Sequence, residues 1–306
     1  MAQLIKLFDY ISRYETNIYQ YPSQYIRLKR ENWKNMHQMW KQGSLNKQVE
    51  IDEPEDESSG WKRLFNRKKN KASEHPEEST ARVMEKPPES LIELKQYFLD
   101  GLLPFQLKWA STTLLHKSFV DKLYYQDARL KYFLQRFPDT YLLMYEAVVE
   151  MKKAKMDAET ILVGPLGIEI IHYLDLPDAD AVIPSDHNNW YVQRGKVQEK
   201  LLSPMIALNR TETFVKSVLS KYGIDFPYHK VVLAPKLTFQ EAQVPFHTTY
   251  IDQTLYSQWL YDKRNTASPL KHSQLKAAEA LLQHSRSHSI KRPEWDKEDD
   301  TEAMEE

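Results

Sequence analysis

Leu4, Leu7, Phe8, Ile11, Tyr14 and Ile18 recur every three or four positions, the spacing that gathers side chains on one side of an α-helix. The first twenty residues are therefore expected to form an amphipathic helix. Tyr21-Pro22 interrupts it, and Tyr25, Ile26, Leu28, Trp33, Met36 and Trp40 predict a second helix. From about residue 43 to 88 large apolar side chains thin out in favour of Glu, Asp, Lys, Ser and Pro. Such a segment buries too little surface to offset the entropy of ordering, and a disordered charged linker is expected. Helical periodicity returns over 89–118 through Leu91, Leu94, Phe98, Leu102, Leu103 and Phe105, with Pro104 expected to kink or restart the helix. Phe119 to Phe137 predicts another helix, ended by Pro138-Asp139, and Tyr141 to Val149 a strand.

The period then changes. Glu159 to Leu174 reads as two apolar strands joined by a Gly164-Pro165-Leu166-Gly167 turn. Successive side chains of a strand point to opposite faces, so Ile168, Ile170, His172 and Leu174 share one face while Glu169, Ile171 and Tyr173 share the other. Trp190-Tyr191-Val192 predicts a short strand, Pro204 to Leu219 a helix, Lys230 to Leu233 an apolar strand and Thr248 to Ile251 an extended segment. Ser268-Pro269 supplies an N-cap followed by proline for a helix running through Leu275, Ala278, Leu281 and Leu282 to about His284. The expected fold class is α/β, a mixed sheet flanked by helices with additional N-terminal helices. Its segments are a helical region (1–42), the linker (43–88), connecting helices (89–118), the sheet domain (119–252), a C-terminal helical segment (253–290) and a disordered acidic tail (291–306).

Composition narrows the chemistry. A chain of 306 residues with 41% hydrophobic content can bury a sizeable core. It has no cysteine, which excludes disulfides, thiolate metal sites and cysteine nucleophiles and suggests a reducing, cytoplasmic setting. Residues 1–20 lack the continuous apolar run of a signal peptide, and the apolar stretch from Tyr97 to Leu115 is interrupted by Asp100, Pro104 and Lys108, so no membrane span is expected. The net charge of −1 is unevenly spread: residues 294–306 hold eight acids and one lysine, a net of −7, which leaves +6 on the preceding residues. Within the linker an acidic run from Glu50 to Glu57 precedes Trp61, Lys62, Arg63, Phe65, Arg67, Lys68, Lys69 and Lys71. That basic, aromatic run is a candidate contact for nucleic acid or anionic lipid, weighed against a solvated linker of mixed sign.

The strand, tight glycine turn and strand, followed by Trp190, by Ser203-Pro204-Met205-Ile206-Ala207 and by a helical run, resemble the nuclease-related NERD domain of bacterial proteins over roughly residues 120–250. That family belongs to the restriction-endonuclease-like fold, whose motif is an Asp, a turn, then Glu-x-Lys on the next strand. The resemblance places its Asp at Glu159, its Glu at His172, its Lys at Leu174 and a helical Gln at Ala207, with Asp127 the nearest counterpart of a helical carboxylate. One conservative replacement and three losses imply a degenerate active site. The expected function is a catalytically inactive module that binds nucleic acid or a protein partner without a cofactor. The alternative is an atypical nuclease for DNA or RNA, holding Mg²⁺ or Mn²⁺ through Glu159, His172 and Asp127. Arg210, beside Asn209 on the helix after the hairpin, is a candidate phosphate contact. His172, Asp175, Asp178, Asp180, Asp186 and His187 lie close in sequence but without metal-ligand spacing.

Overall fold

The computed structural model describes residues 1–45, 87–151, 154–185, 188–240, 243–266 and 268–292. Most of the expected linker, with Lys62, Arg63, Arg67, Lys68, Lys69 and Lys71, and the acidic tail beyond Arg292 lie outside the described residues. In chain order the elements begin with β1 (Gln3–Leu7), α1 (Arg13–Thr16), α2 (Tyr21–Lys41), α3 (Leu91–Trp109), β2 (His116–Lys117), a 3₁₀ turn (Lys122–Tyr125) and α4 (Ala128–Arg136). They continue with β3 (Leu142–Tyr145), β4 (Val148–Met151), β5 (Ala154–Asp157), β6 (Thr160–Val163), β7 (Ile168–Tyr173), β8 (Ala181–Ile183), β9 (Asn189–Arg194) and β10 (Val197–Leu202). After α5 (Pro204–Lys221) come β11 (Tyr228–Leu233), β12 (Thr238–Phe239), β13 (Thr248–Ile251), α6 (Gln253–Asn265), α7 (His272–Gln283) and β14 (Ile290–Lys291).

The chain divides into two compact units, Met1–Pro22 with the chain from Gln106 onward, and Ser23–Phe105. The first is mixed α/β. Among its described residues the main sheet holds six strands in the order β1-β3-β6-β7-β11-β13. β6 is antiparallel to both neighbours, while β1 pairs in parallel with β3, and β11 in parallel with β7 and β13. A second sheet, β10-β9-β8-β12, carries the fully buried Trp190, whose ring meets Phe239 at 6.1 Å and Tyr250 of β13 at 5.2 Å.

Residues 3–7 form a strand rather than the opening of a helix. All five are buried, so the strand shows no alternation of apolar and polar positions, and Leu4 and Leu7 mimic helical spacing. Lys6 belongs to that buried run because its ammonium donates to Tyr10 O at 2.8 Å, Glu15 Oε1 at 2.6 Å and Ser287 Oγ at 2.6 Å. β1 ends the sheet, and Gln106 satisfies its outer edge by accepting from Leu4 N at 2.6 Å and donating to Ala2 O at 2.8 Å.

Three further boundaries move. Phe119–Phe137 is a 3₁₀ turn and then α4, separated because Asp121 and Asp127 each cap a new start. The strand expected over Tyr141–Val149 breaks at Glu146, whose φ of 49° lies in the left-handed region. The last helix starts at His272, not at Ser268, since Gln274 accepts from Lys271 N and closes the first turn there. The hairpin follows expectation. Gly164 N donates to Gly167 O at 2.9 Å, and a Cβ at Gly164 would lie 2.6 Å from the Tyr141 ring, one at Gly167 2.8 Å from Pro227 O.

The second unit packs aromatic side chains of α2 and α3: Tyr25 stacks near Phe105 at 6.2 Å, Trp33 meets Phe98 at 5.2 Å, and Trp40 Nε1 donates to Pro88 O at 2.7 Å. α3 is continuous through Pro104, and α2 opens on Tyr21-Pro22. None of the described helices is long and apolar enough to cross a membrane.

Candidate active site

β6 and β7 run antiparallel with Thr160 opposite Ile171 and Ile161 opposite Ile170, so Glu159, one residue before β6, stands opposite His172. Period-two alternation sends both side chains to one face of the sheet. There Glu159 Oε1 lies 3.0 Å from His172 Nδ1, with Glu159 21% and His172 28% exposed. The carboxylate fixes the ring by accepting from Nδ1–H, which leaves Nε2 as the basic atom. Nε2 has no hydrogen-bond partner among the described residues. An oriented imidazole open to solvent on one side is a proton-transfer group.

α5 covers this face. Ser203 caps it and Pro204 occupies its first position, where the expected helix also begins. Thr211 of α5 accepts from Glu159 N at 3.0 Å and donates to Ala207 O at 3.1 Å, tying the loop before β6 to the helix. Lys230 of β11 reaches the same face, its side chain 7% exposed, and donates to Glu212 at 2.8 Å and Asn209 at 2.9 Å. Register pairs Val232 with His172 and Lys230 with Ile170, so Lys230 sits one strand over and two residues back, on the order of 8 Å from His172 along the backbone lattice. Sequence reasoning missed this lysine. Its signal was a charged residue inside the apolar run Lys230-Val231-Val232-Leu233.

Leu174 lies just past β7, buried, its N–H donating to Leu233 O at 2.8 Å, and it brings no polar group to the site. Ala207 gives the site a backbone carbonyl through Thr211. Asp127 is not a helical carboxylate facing Glu159 and His172. It caps α4 through Arg129 N and Leu130 N and accepts from the Tyr145 hydroxyl at 2.8 Å, on the opposite face of the sheet. Arg210 is exposed on α5. Of the acidic loop, Asp175 pairs with Lys236 at 3.2 Å and Asp180 accepts from Gly195 N at 2.6 Å, while Asp186 and His187 lie outside the described residues. Among the described residues no three His, Cys, Asp or Glu side chains are grouped to hold a metal ion.

The opposite face carries a second polar group. His229 Nε2 lies 2.5 Å from Thr249 Oγ1, and Glu169, which register places beside His229, pairs with Lys263 of α6 at 2.6 Å. Burial pushes the His229 imidazole below its usual range; Glu169 opposes this, while His247, Lys263 and Lys230 add to it.

With this geometry in view, one curated relative bears on the chain: a protein of Geobacillus stearothermophilus named RNA 2',3'-cyclic phosphodiesterase is 37% identical over 113 residues, 35% of this chain and 36% of the relative. The likeness is to an RNA enzyme. The chain thus spans about a third of that relative's length. No family model and no solved structure matches the chain. The relative's activity overturns the expectation of a catalytically inactive binding module. That expectation counted His172 as a lost carboxylate, whereas a histidine held by Glu159 is itself an acid–base group.

Proposed function

We propose that this chain is an enzyme of RNA phosphodiester chemistry that opens a 2',3'-cyclic phosphate by hydrolysis, with His172 as the general base. The observation that carries the reading is the 3.0 Å contact between His172 Nδ1 and Glu159, on adjacent strands and open to solvent. The likeness to an RNA 2',3'-cyclic phosphodiesterase supplies the substrate class. In the reaction His172 Nε2 takes a proton from water as its oxygen attacks phosphorus. One bond from phosphorus to a ribose oxygen breaks, that oxygen receives a proton, and a phosphomonoester remains. Lys230, on the same face, offers positive charge to the phosphoryl oxygens. We retain the restriction-endonuclease-like fold and the NERD resemblance as the scaffold of this reading; the sequence of α4, β3, β6 and β7, a helix followed by strands around the glycine turn, supports it.

The test is conversion of a short RNA ending in a 2',3'-cyclic phosphate, followed by ³¹P NMR. Wild-type protein is expected to form the phosphomonoester, and His172→Ala to slow it roughly 100- to 10,000-fold. No conversion by the wild-type chain, or full activity in the variant, overturns the reading.

A further inference from the structure

α2 presents a row of cations beside a column of aromatic rings. Its 21 residues hold Arg27, Lys29, Arg30, Lys34 and Lys41 against a single acid, Glu31. We propose that this surface of the Ser23–Phe105 unit binds single-stranded RNA, with bases stacked on Trp33, His37 and Trp40 and phosphates along Arg27, Arg30, Lys34 and Lys41. The choice of RNA as the strand rests on the reaction proposed above; the surface itself does not involve His172.

Spacing makes the two features neighbours. At 3.6 residues per turn, Arg27, Arg30, Lys34 and Lys41 fall within about 60° of one another around the helix and extend over roughly 21 Å of its length. Trp33, His37 and Trp40 occupy an adjoining arc of about 60°, and Glu31 lies on the far side of the cation stripe from them. All four cations are exposed, and none has a hydrogen-bond or ion-pair partner among the described residues.

The rings are ordered before any ligand arrives. Trp33 and His37 stack with centroids 5.5 Å apart and planes 7° from parallel, and His37 and Trp40 with centroids 6.1 Å apart at 17°. Phe98 of α3 lies 5.2 Å from the Trp33 ring, and the Pro88 carbonyl accepts from Trp40 Nε1 at 2.7 Å, which holds both ends of the column. The three side chains are half-buried, so each keeps an exposed part. Rings in near-parallel planes next to unpaired cations suit a strand with unpaired bases: a base stacks on a ring whatever its identity, and the phosphates meet the charge. A duplex keeps its base faces stacked inside and offers phosphates and groove edges instead. An anionic membrane needs an apolar helix face to insert, and that of α2 is already buried, with Tyr25, Leu28 and Met36 at most 6% exposed.

The test is fluorescence anisotropy of a labelled, unstructured RNA of about 12 nucleotides with the full chain. Single-stranded DNA of the same sequence and vesicles of phosphatidylcholine with phosphatidylserine are the other probes. The wild type is expected to bind the RNA, with affinity falling as salt rises. Arg27→Gln with Lys34→Gln should weaken binding about tenfold or more and flatten the slope of log Kd against log salt by about one to two. His37→Ala, which removes the middle ring, should weaken binding about fivefold or more and keep the salt slope. Melting curves check that the variants fold. Quenching of tryptophan fluorescence by RNA, expected for bases on Trp33 and Trp40, reads the same contact in the wild type. RNA that does not bind, binding unchanged in both variants, absence of quenching, vesicle binding that depends on the same cations, or DNA bound much more tightly than RNA overturns the proposal. RNA binding without turnover of a cyclic-phosphate RNA keeps the surface and removes the reading of His172, and turnover without RNA binding does the reverse.

Discussion

On the α5 face of the main sheet His172 meets a carboxylate at 3.0 Å; on the other face His229 meets the Thr249 hydroxyl at 2.5 Å, with Glu169 already engaged by Lys263. Both are histidines on central parallel strands. The difference is what each can give away. His172 has its Nδ1 oriented and its Nε2 open, so it can carry a proton to or from a substrate. His229 spends Nε2 on a neighbouring strand and is half-buried among Tyr228, His247 and Lys263, a packing role. On the function proposed above, the same residue type on neighbouring strands serves chemistry on one face and packing on the other, and partners decide which.

Exchanging the two histidines one at a time is the strongest way to break this contrast. His172→Ala is expected to lower turnover of a cyclic-phosphate RNA roughly 100- to 10,000-fold, with the melting temperature near that of the wild type. His229→Ala should leave turnover within a few-fold. Equal losses in the two variants would erase the distinction between the faces. Glu159→Gln keeps the size of the orienting group while removing its charge, and on the pattern of groups that orient a functional histidine it should cost about 10- to 100-fold. A Glu159→Gln variant as active as wild type would mean that His172 needs no partner.

Lys230 sharpens the picture of the His172 face. Lys230→Met removes the charge at similar volume and leaves Glu212 without its cation; unpairing a buried carboxylate is destabilising, and the 21% exposure of Glu212 limits that cost. The expected result is a loss of activity of about tenfold together with a lowered melting temperature, read from kcat/KM and a melting curve. Unchanged kcat/KM would assign Lys230 to holding α5 on the sheet.

The legibility of these faces differed for physical reasons. The hairpin was readable because two short apolar runs, β6 and β7, flank a turn that needs glycine: Gly164 and Gly167 approach Tyr141 and Pro227 too closely for a side chain. Glu159 and His172 were singled out by the resemblance, which placed the family's Asp and Glu on them, and the pairing of β6 with β7 sets them on one face. β1 was not readable, because a strand buried on both sides has no alternation and a satisfied lysine within it looks like the polar side of a helix. Lys230 was not readable either. Its place depends on which strands become neighbours, and β11 joins β7 only after the intervening sheet and α5. The carboxylates counted toward a metal were misjudged for a related reason: Asp127 resembled a helical ligand in sequence but stands before its helix as a cap.

The close approach at the hairpin gives a stability prediction that does not touch the chemistry. Gly167→Ala would set a Cβ 2.8 Å from Pro227 O, the carbonyl that accepts from Ile168 N at 2.8 Å and sets the register of β7 with β11. Backbone on both sides leaves nothing flexible to give way. A cost of about 1–3 kcal/mol is expected, which for a unit of this size lowers the melting temperature by several degrees at about 2–4 °C per kcal/mol. An unchanged melting temperature would mean that β11 shifts freely against β7, and the shared face of Lys230 and His172 would lose its basis.

The smallest expected effect is a pH dependence that belongs to the architectural face. Burial holds His229 below its usual range in the folded chain, with His247, Lys263 and Lys230 adding to this and Glu169 opposing it. Near neutral pH the ring is uncharged in both folded and unfolded states and contributes no slope. As pH falls through about 6.5, the usual histidine value, the unfolded chain takes up the proton before the folded one. Stability therefore falls as pH drops from there through the lower folded-state value. The melting temperature of the wild type should decline across that window more steeply than that of His229→Gln, whose side chain can still hydrogen-bond Thr249 but cannot titrate. The readout is the difference between the two slopes, which cancels the carboxylates common to both proteins. Parallel slopes would show that His229 is solvated on this face, and the contrast with His172 would then rest on hydrogen-bond partners alone.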